Sequence, residues 1–262
     1  MTLTGNLIRE AADLLDSADA AAAPVAPLTE RYRGMDVTDA YAIQRTNLAR
    51  RLASGRTLIG HKVGLTSQPM QALLGVDEPD FGYILDDMLV RHGASVPRSR
   101  FCAPRVEPEV AFLLREPLRG DPVTAHDVRA ATEAVAVALE IVDSRIADWR
   151  LTLCDTVADN ASSAAVVLGP WVPLTDDIDL AGAHASLCLN GRHADEGLGS
   201  AVLGDPANAV AWLANTLAPL GTDIEPGQFI MSGSFTAAAF VNAGDIASAT
   251  ISGLGTVSLH IV

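Results

Sequence analysis

Three glutamates stand in two apolar segments of the chain. Glu107 and Glu109 lie in the strand-like run 105–114, and Glu140 lies in the apolar run 137–142. Side chains alternate along a strand, so Glu107 and Glu109 point to one face, where two carboxylates repel each other and lose hydration. A charge in a run as apolar as 137–142 also needs a partner. The pattern predicts a positive group between the carboxylates.

An all-oxygen donor set without a nearby His or Cys cluster suits Mg²⁺ or Mn²⁺ better than Zn²⁺ or Cu²⁺. Three protein ligands leave about three of roughly six octahedral positions for water and substrate, enough for the carboxylate and 2-oxygen of a 2-keto acid. In the alternative interpretation, Glu107 and Glu109 lie on a solvated face and Glu140 pairs with an arginine such as Arg145. The residues alone leave both interpretations open.

A lysine, Lys62, stands between Gly60 and Gly64 in a run that reads as a strand over 57–65. Glycines at these positions let a ligand or another backbone approach closely. A lysine there can bind a carboxylate or move protons. In the alternative, its stem packs and its head stays in water. His61 alternates to the opposite face, where we expect a structural role.

Three polar loops are further candidates. The loop 232–236, which contains Ser234, either cradles an anion on its N–H groups or simply turns the chain. Taken alone, the acidic turn 77–82 is an ordinary surface turn, and the polar run 159–163 is an ordinary helix cap or turn. No phosphate-binding loop, GxGxxG after a strand, GxSxG or HExxH motif is found.

The pattern of elements that must position these residues changes near residue 55. Helical periodicity covers 3–19 and 36–54, with a connector rich in Ala and Pro between them. After residue 55, short β-branched runs alternate with a few helices, and we expect one of these helices over 126–136. The pattern predicts an α+β fold, a curled mixed sheet or barrel behind a small helical N-terminal portion. We place the boundary between residues 1–55 and 56–262.

Composition limits the partners and the location. The 262-residue chain has a formal net charge of −14, which repels phosphate backbones and disfavours nucleic acid. The N-terminus predicts an amphipathic helix rather than a signal peptide, and no apolar stretch suits a membrane span. The 3 dispersed cysteines are typical of free thiols in a reducing cytoplasm. Only 19% of residues are charged, which favours a homo-oligomer.

Several motifs occur in order and together cover nearly the whole chain. They lie at 60–67, 75–82, 105–114, 138–146 and 155–163, and continue through 206–215 and 227–236. In sequence and spacing the chain resembles the 2-keto-4-pentenoate (2-hydroxypenta-2,4-dienoate) hydratases of the fumarylacetoacetase-like superfamily. The resemblance implies that superfamily's curled mixed sheet and Mg²⁺ or Mn²⁺ at the three glutamates. It places Lys62 and Asp80 in proton transfer, and with them we expect Leu65, Ser163 and Ser234 to contact substrate.

The activity that the resemblance implies is hydration of 2-hydroxypenta-2,4-dienoate, or a short alkyl homologue, to a 4-hydroxy-2-keto acid. This reaction belongs to meta-cleavage degradation of aromatic compounds or steroids. The family also implies a pentamer or decamer and association with neighbouring pathway enzymes.

Four other functions stay open. They are 4-oxalocrotonate (2-oxo-3-hexenedioate) decarboxylation, hydration of a dicarboxylate, hydrolysis of an acylpyruvate, and a scaffold without activity. Hydration of a dicarboxylate would require an additional cation in the pocket, which the sequence does not identify. Hydrolysis would require a His–acid pair near the metal, and the 6 histidines show no obvious pairing.

Overall fold

The computed structural model describes residues 2–119 and 122–262. The helices in these ranges are α1 (Gly5–Ala21), α2 (Leu28–Arg31), α3 (Val37–Ala53), α4 (Gln68–Leu74), α5 (Ala125–Ala131), α6 (Leu153–Ala158) and α7 (Pro206–Leu217). The strands are β1 (Leu58–Gly64), β2 (Asp80–Leu85), β3 (Leu89–Val90), β4 (Ser95–Val96), β5 (Arg105–Leu114), β6 (Thr132–Val142), β7 (Ser163–Leu168), β8 (Val172–Pro173), β9 (His184–Leu189), β10 (Arg192–Leu198), β11 (Phe229–Ser234), β12 (Ala239–Phe240), β13 (Ile246–Ile251) and β14 (Gly255–Ile261).

The larger sheet carries the chemistry. In the described part of the chain it has nine strands, with the order β2-β1-β11-β5-β6-β7-β3, while β12 pairs with β5 and β8 pairs with β6. The sheet is mixed, because β1 runs parallel to β11 and β3 parallel to β7, whereas β5, β6 and β7 are antiparallel neighbours. It curls into a half-barrel, and this confirms the predicted fold class.

The main core lies between this sheet and a second one. The second sheet has the order β10-β9-β13-β14-β4, and β13 and β14 pack against β6. Along β5 and β6 the residues of one parity, such as Val110, Phe112, Leu139 and Ile141, are fully buried in this core. The side chains on the opposite face of the same two strands are therefore available to form a site.

The N-terminal helices form a separate small cluster. Helices α1 and α3 pack on each other, and α3 also packs on α6. Helix α3 begins at a capping box in which Asp36 and Asp39 bond each other's backbone N–H, an arrangement that satisfies free amides in the first turn. None of the described helices is long and apolar enough to cross a membrane. The division at residue 55 stays a prediction.

The helix expected over 126–136 is wrong in its second half. Helix α5 ends at Ala131, and residues 132–136 begin the long strand β6. The segment 134–138 alternates Ala and Val, and alanine favours a helix when it is read locally. Pairing with β5 on one side and β8 on the other makes it a strand, so tertiary context overrides the local preference.

Candidate active site

The three glutamates meet on one face of the larger sheet. Glu107 on β5 lies directly opposite Glu140 on β6, and Glu109 follows two residues along β5 on the same face. Carboxylate oxygens of the three residues lie within 4.8 Å of one another. Glu109 and Glu140 are buried, and Glu107 is half-buried. The predicted cluster is therefore present in the fold.

The electrostatics of this cluster require a cation or protons. Burial, followed by the charge of Glu140, raises the pKa of Glu107 to about 7. The same two causes, with Glu107 added, raise the pKa of Glu109 well above its usual range. Neither carboxylate oxygen of Glu140 accepts a hydrogen bond from the described residues. Orphaned, mutually repelling carboxylate oxygens form a hard donor set that fits a divalent metal ion.

Lys62 supplies a positive charge beside the cluster. Its Nζ lies 3.6 Å from Glu140 Oε2, and its side chain is only 5% exposed, which rules out a lysine with its head in water. Burial acts to lower the pKa of Lys62, but the charges of Glu140 and Asp80, then Glu107 and Glu109, outweigh it and raise that pKa. The ammonium therefore stays protonated while the carboxylates are uncompensated.

A compositional signal for Lys62 was available and was missed. Among the 18 basic residues of the chain, Lys62 is the single lysine, and every other one is an arginine. A guanidinium does not deprotonate in proteins, whereas an amine can titrate when its surroundings change. The only side-chain amine in the sequence thus lies beside the carboxylate cluster.

The sequence alone predicts that Asp80 lies in a surface turn. In the structure it is buried at the start of β2. It lies opposite Gly64 of β1, and a Cβ at Gly64 would come within 2.2 Å of Asp80 Oδ1 and 3.0 Å of Lys62 Nζ. Burial raises the pKa of Asp80, although the charge of Lys62 opposes the shift. The absence of a side chain at Gly64 is what lets Lys62 and Asp80 share this space.

The loop 232–236 directs one of its backbone N–H groups toward the carboxylate cluster. Strand β11 carries an extra residue between Met231 and Ser234, and this bulge lets the Gly233 N–H donate to Glu109 Oε2 over 2.8 Å. Gly233 has a φ of +107°, and a Cβ there would collide with the Thr66 side chain. This N–H therefore orients a carboxylate of the protein.

A cavity of about 360 Å³ opens onto these groups. Lys62, Asp80, Glu107 and Glu109 line it, together with two of the expected substrate contacts, Leu65 and Ser234. Further apolar surface comes from residues of α4 and from the loop before α6, namely Met70, Leu74 and Leu151. The cavity thus combines a carboxylate and ammonium end with an apolar wall, as a small organic acid requires.

Ser163 does not line this cavity. It lines a second one, with Arg145 and Asp159, and the neighbouring Ser162 lines the first cavity instead. Residues 160–162 all have positive φ, a left-handed turn that reverses which side chain points where. The Asn160 side chain fixes the turn by bonding both the N–H and the carbonyl of Tyr83. Contact of Ser163 with substrate therefore stays a prediction, and its side chain lies outside the cavity that Lys62 and the glutamates line.

The alternative pairing of Glu140 with Arg145 is wrong. The Arg145 guanidinium bonds Asp159 and the carbonyl of Ser163, and the whole group is buried. His61 lies in β1 with its side chain buried away from the cluster, and burial lowers its pKa to about 4. It has the structural character expected of it, as a neutral imidazole.

Three further residues at this cavity were not singled out from the sequence. They are Thr156, Trp149 and Arg105, which come from α6, the loop after β6 and the start of β5. No periodicity marks Trp149, because its position depends on positive φ values at Asp148 and Trp149. Arg105 stands two residues before Glu107 and therefore lies on the same face of β5 as Glu107 and Glu109. This alternation could have identified Arg105 as a residue of the site.

A curled mixed sheet with a buried carboxylate cluster beside a lysine defines a metal-assisted enzyme. Residues 52–262 match the fumarylacetoacetate (FAA) hydrolase C-terminal family, and the chain belongs to that family.

Close relatives share the length of the chain. It is 47% identical over 238 residues to a 2-hydroxyhexa-2,4-dienoate hydratase of Comamonas testosteroni, covering 90% of each chain. It is 44% identical over 252 residues to a 2-keto-4-pentenoate hydratase of Paraburkholderia xenovorans, covering 95% of this chain and 92% of the relative. The solved 4-oxalocrotonate decarboxylase of Pseudomonas putida G7, complexed with magnesium and adipate, superposes with a TM-score of 0.96 at 34% identity over 99% of both chains.

Proposed function

We propose that this chain is a metal-dependent hydro-lyase that adds water to 2-hydroxypenta-2,4-dienoate, or to a short alkyl homologue, and forms a 4-hydroxy-2-keto acid. The observation that carries the proposal is the buried cluster of Glu107, Glu109 and Glu140, with Lys62 at 3.6 Å from Glu140. Two relatives at 44% identity or above are named hydratases of such acids. Degradation of aromatic compounds by ring cleavage supplies substrates of this class.

The three glutamates would hold the metal ion through their carboxylate oxygens. A bound divalent metal acts as a Lewis acid that stabilises negative charge on the 2-oxygen and carboxylate of a keto acid. We take Mg²⁺ or Mn²⁺ as the ion, because the donor set is all oxygen. The Gly233 N–H keeps Glu109 oriented, and the register of β5 with β6 holds Glu107 opposite Glu140.

Lys62 and Asp80 would move the protons. Ketonisation of the dienol takes a proton from the 2-hydroxyl and places one on C5, and addition of water then puts a hydroxyl on C4 and a proton on C3. Lys62 Nζ is the acidic group beside the cluster, and Asp80 Oδ1 accepts no hydrogen bond from the described residues and is free to take a proton. Their pKa values are shifted by burial and by each other, as acid–base pairs require.

Decarboxylation of 4-oxalocrotonate (2-oxo-3-hexenedioate) is the second candidate. The solved decarboxylase covers 99% of this chain with a TM-score of 0.96. A divalent metal held by the same cluster would supply the Lewis acid that stabilises the negative charge left when a carboxylate departs as CO₂. Assembly into pentamers or decamers, association with neighbouring pathway enzymes and a cytoplasmic location complete the proposal and rest on the family resemblance.

Product identification separates the two activities. Purified protein is given enzymatically generated 2-hydroxypenta-2,4-dienoate and, separately, 2-oxo-3-hexenedioate, each with Mg²⁺. The proposal expects loss of dienol absorbance and a product heavier by one water. Release of CO₂ from the second substrate, without hydration of the first, would assign the chain to the decarboxylases.

A further inference from the structure

A guanidinium that the proposed reaction does not use lies in the wall of the active-site cavity. Arg105 precedes Glu107 by two residues on β5 and shares its face of the strand. Its guanidinium lies over the ring of Trp149, at 4.2 Å from the ring centroid, and over the ring of Phe240, at 4.0 Å. Phe240 is the cross-strand partner of Arg105 and is 55% exposed, which places this group toward the mouth of the cavity.

The guanidinium forms no ion pair or hydrogen bond with a carboxylate of the described residues. No carboxylate of residues 2–119 or 122–262 lies within 4.0 Å of its nitrogens, and its buried Nε donates no hydrogen bond there. Burial lowers the pKa of Arg105 and the charge of Glu107 opposes this shift, and a guanidinium stays charged in proteins. Two aromatic rings stabilise the cation through its faces and leave the N–H groups at its edge free.

The loop that presents Trp149 is held in an unusual backbone conformation. Asp148 and Trp149 have φ values of 59° and 54°, in the left-handed region that non-glycine residues rarely adopt. The Trp149 indole N–H donates to the carbonyl of Ala103 over 3.1 Å and fixes the ring. Backbone strain of this kind persists at ligand-binding sites, because a specific side-chain position is required there.

We propose that Arg105 binds a carboxylate at the end of the substrate distant from the 2-keto acid group, so that the cavity also accepts dicarboxylates. This inference rests on the proposed function, since it takes the 2-keto acid group to lie at the glutamate cluster. A guanidinium offers two parallel N–H groups, which match the two oxygens of a carboxylate. Cα atoms of successive residues on one face of a strand are about 7 Å apart, so the side chains of Arg105 and Glu107 leave β5 at points separated by about the length of an extended six- or seven-carbon chain.

The chain also carries the additional cation that hydration of a dicarboxylate would require. With a formal net charge of −14, the protein does not attract a dianion through its overall field. A local cation at the cavity mouth overcomes this repulsion at short range. The apolar residues Leu65, Met70 and Leu151 line the space that the connecting carbon chain would occupy.

The test measures binding rather than turnover. Isothermal titration of the Mg²⁺-loaded protein compares 2-oxoadipate with 2-oxohexanoate, two stable keto acids of equal length that differ in the distal carboxylate. We expect the protein to bind 2-oxoadipate about tenfold or more tightly, as a bidentate charged pair provides. In Arg105→Gln this preference disappears, and in Arg105→Lys it falls partway. Arg91→Gln, which removes an exposed arginine, keeps the preference of the parent protein.

Two results would overturn the proposal. Equal affinity of the parent protein for both acids would show that no distal carboxylate is recognised. An equal loss of affinity for both acids in Arg105→Gln would show that Arg105 serves the shared 2-keto acid group. Both keto acids lack the dienol, so the comparison is valid even if the protein proves not to be a hydratase. Thermal unfolding of each variant confirms that it is folded.

Discussion

Glu107 and Glu140 face each other directly across the antiparallel pair of β5 and β6, and Lys62 Nζ, from β1, lies 3.6 Å from Glu140 Oε2. Cross-strand neighbours of like charge destabilise a sheet unless a counter-charge lies between them. One ammonium cannot neutralise these two carboxylates together with Glu109 and Asp80. The site is therefore most stable when it holds a divalent cation or additional protons.

Thermal stability should depend on pH and metal together. Burial raises the pKa of Glu107 from 4.5 to about 7, so its stabilising contribution is complete below pH 4.5 and is lost as pH rises through 7. We expect the gain in Tm on adding Mg²⁺ to be several degrees larger at pH 8 than at pH 5.5, because metal and protons compete for the same oxygens. Differential scanning calorimetry of metal-free and Mg²⁺-loaded protein at the two pH values measures this gain in Tm. A gain independent of pH would contradict the expectation.

Replacement of Lys62 should remove activity without removing the metal. We expect Lys62→Met to lower kcat by about 10²- to 10⁴-fold, the range typical of a lost general acid or base. Lys62→Arg retains the positive charge but cannot release a proton, so it should be impaired similarly. Steady-state kinetics and Mg²⁺ titration of both variants provide the test. Near-normal turnover in Lys62→Arg would leave Lys62 with a purely electrostatic role.

The single lysine permits a direct measurement of its ionisation. Protein labelled with ¹³C at lysine Cε should give one side-chain NMR signal, that of Lys62. The carboxylates raise the pKa of Lys62 in metal-free protein, and Mg²⁺ should lower it by neutralising them. The chemical shift is followed against pH with and without Mg²⁺. An unchanged titration on metal addition would place the ion away from Lys62.

Adding a methyl group at Gly64 should separate Lys62 and Asp80, the two groups proposed to transfer protons. The new Cβ in Gly64→Ala would lie 2.2 Å from Asp80 Oδ1, so the aspartate must move. We expect kcat to fall by about 10-fold or more, since small misplacements of catalytic groups are costly. Mg²⁺ affinity should stay within about threefold, because no proposed ligand contacts Gly64. Gly5→Ala, where the Cβ meets only an arginine terminus at 3.6 Å, is the control.

Strand alternation made the centre of the site predictable from the sequence. Glu107 and Glu109 share a parity within β5, and the apolar context of Glu140 required a partner for its charge. The carboxylates and Lys62 therefore emerged from residue patterns together with the family resemblance. Pairing between distant strands, which brings Glu140 opposite Glu107, followed from no local rule.

Loops with left-handed backbone set the limit of the prediction. At 160–162 three positive φ values turn Ser163 into the second cavity and bring Ser162 to the first. At 148–149 two further positive φ values place the Trp149 ring against the guanidinium of Arg105, which lies 44 positions earlier in the chain. Non-glycine residues enter this region only when tertiary contacts compensate its cost, and a single sequence does not display those contacts.

Metal-dependent hydration at the glutamate cluster is tested most directly by restoring activity to stripped protein. Protein freed of metal with EDTA is titrated with Mg²⁺ while hydration of 2-hydroxypenta-2,4-dienoate is followed, beside Glu107→Gln and the matched control Glu133→Gln. Glu133 lies on the same strand as Glu140, but its side chain is exposed. The account predicts that activity returns with Mg²⁺ in the parent and in Glu133→Gln, and that Glu107→Gln needs about 100-fold more metal or stays inactive. Hydration by the stripped parent protein, or recovery of Glu107→Gln at the parent's Mg²⁺ concentration, would contradict it.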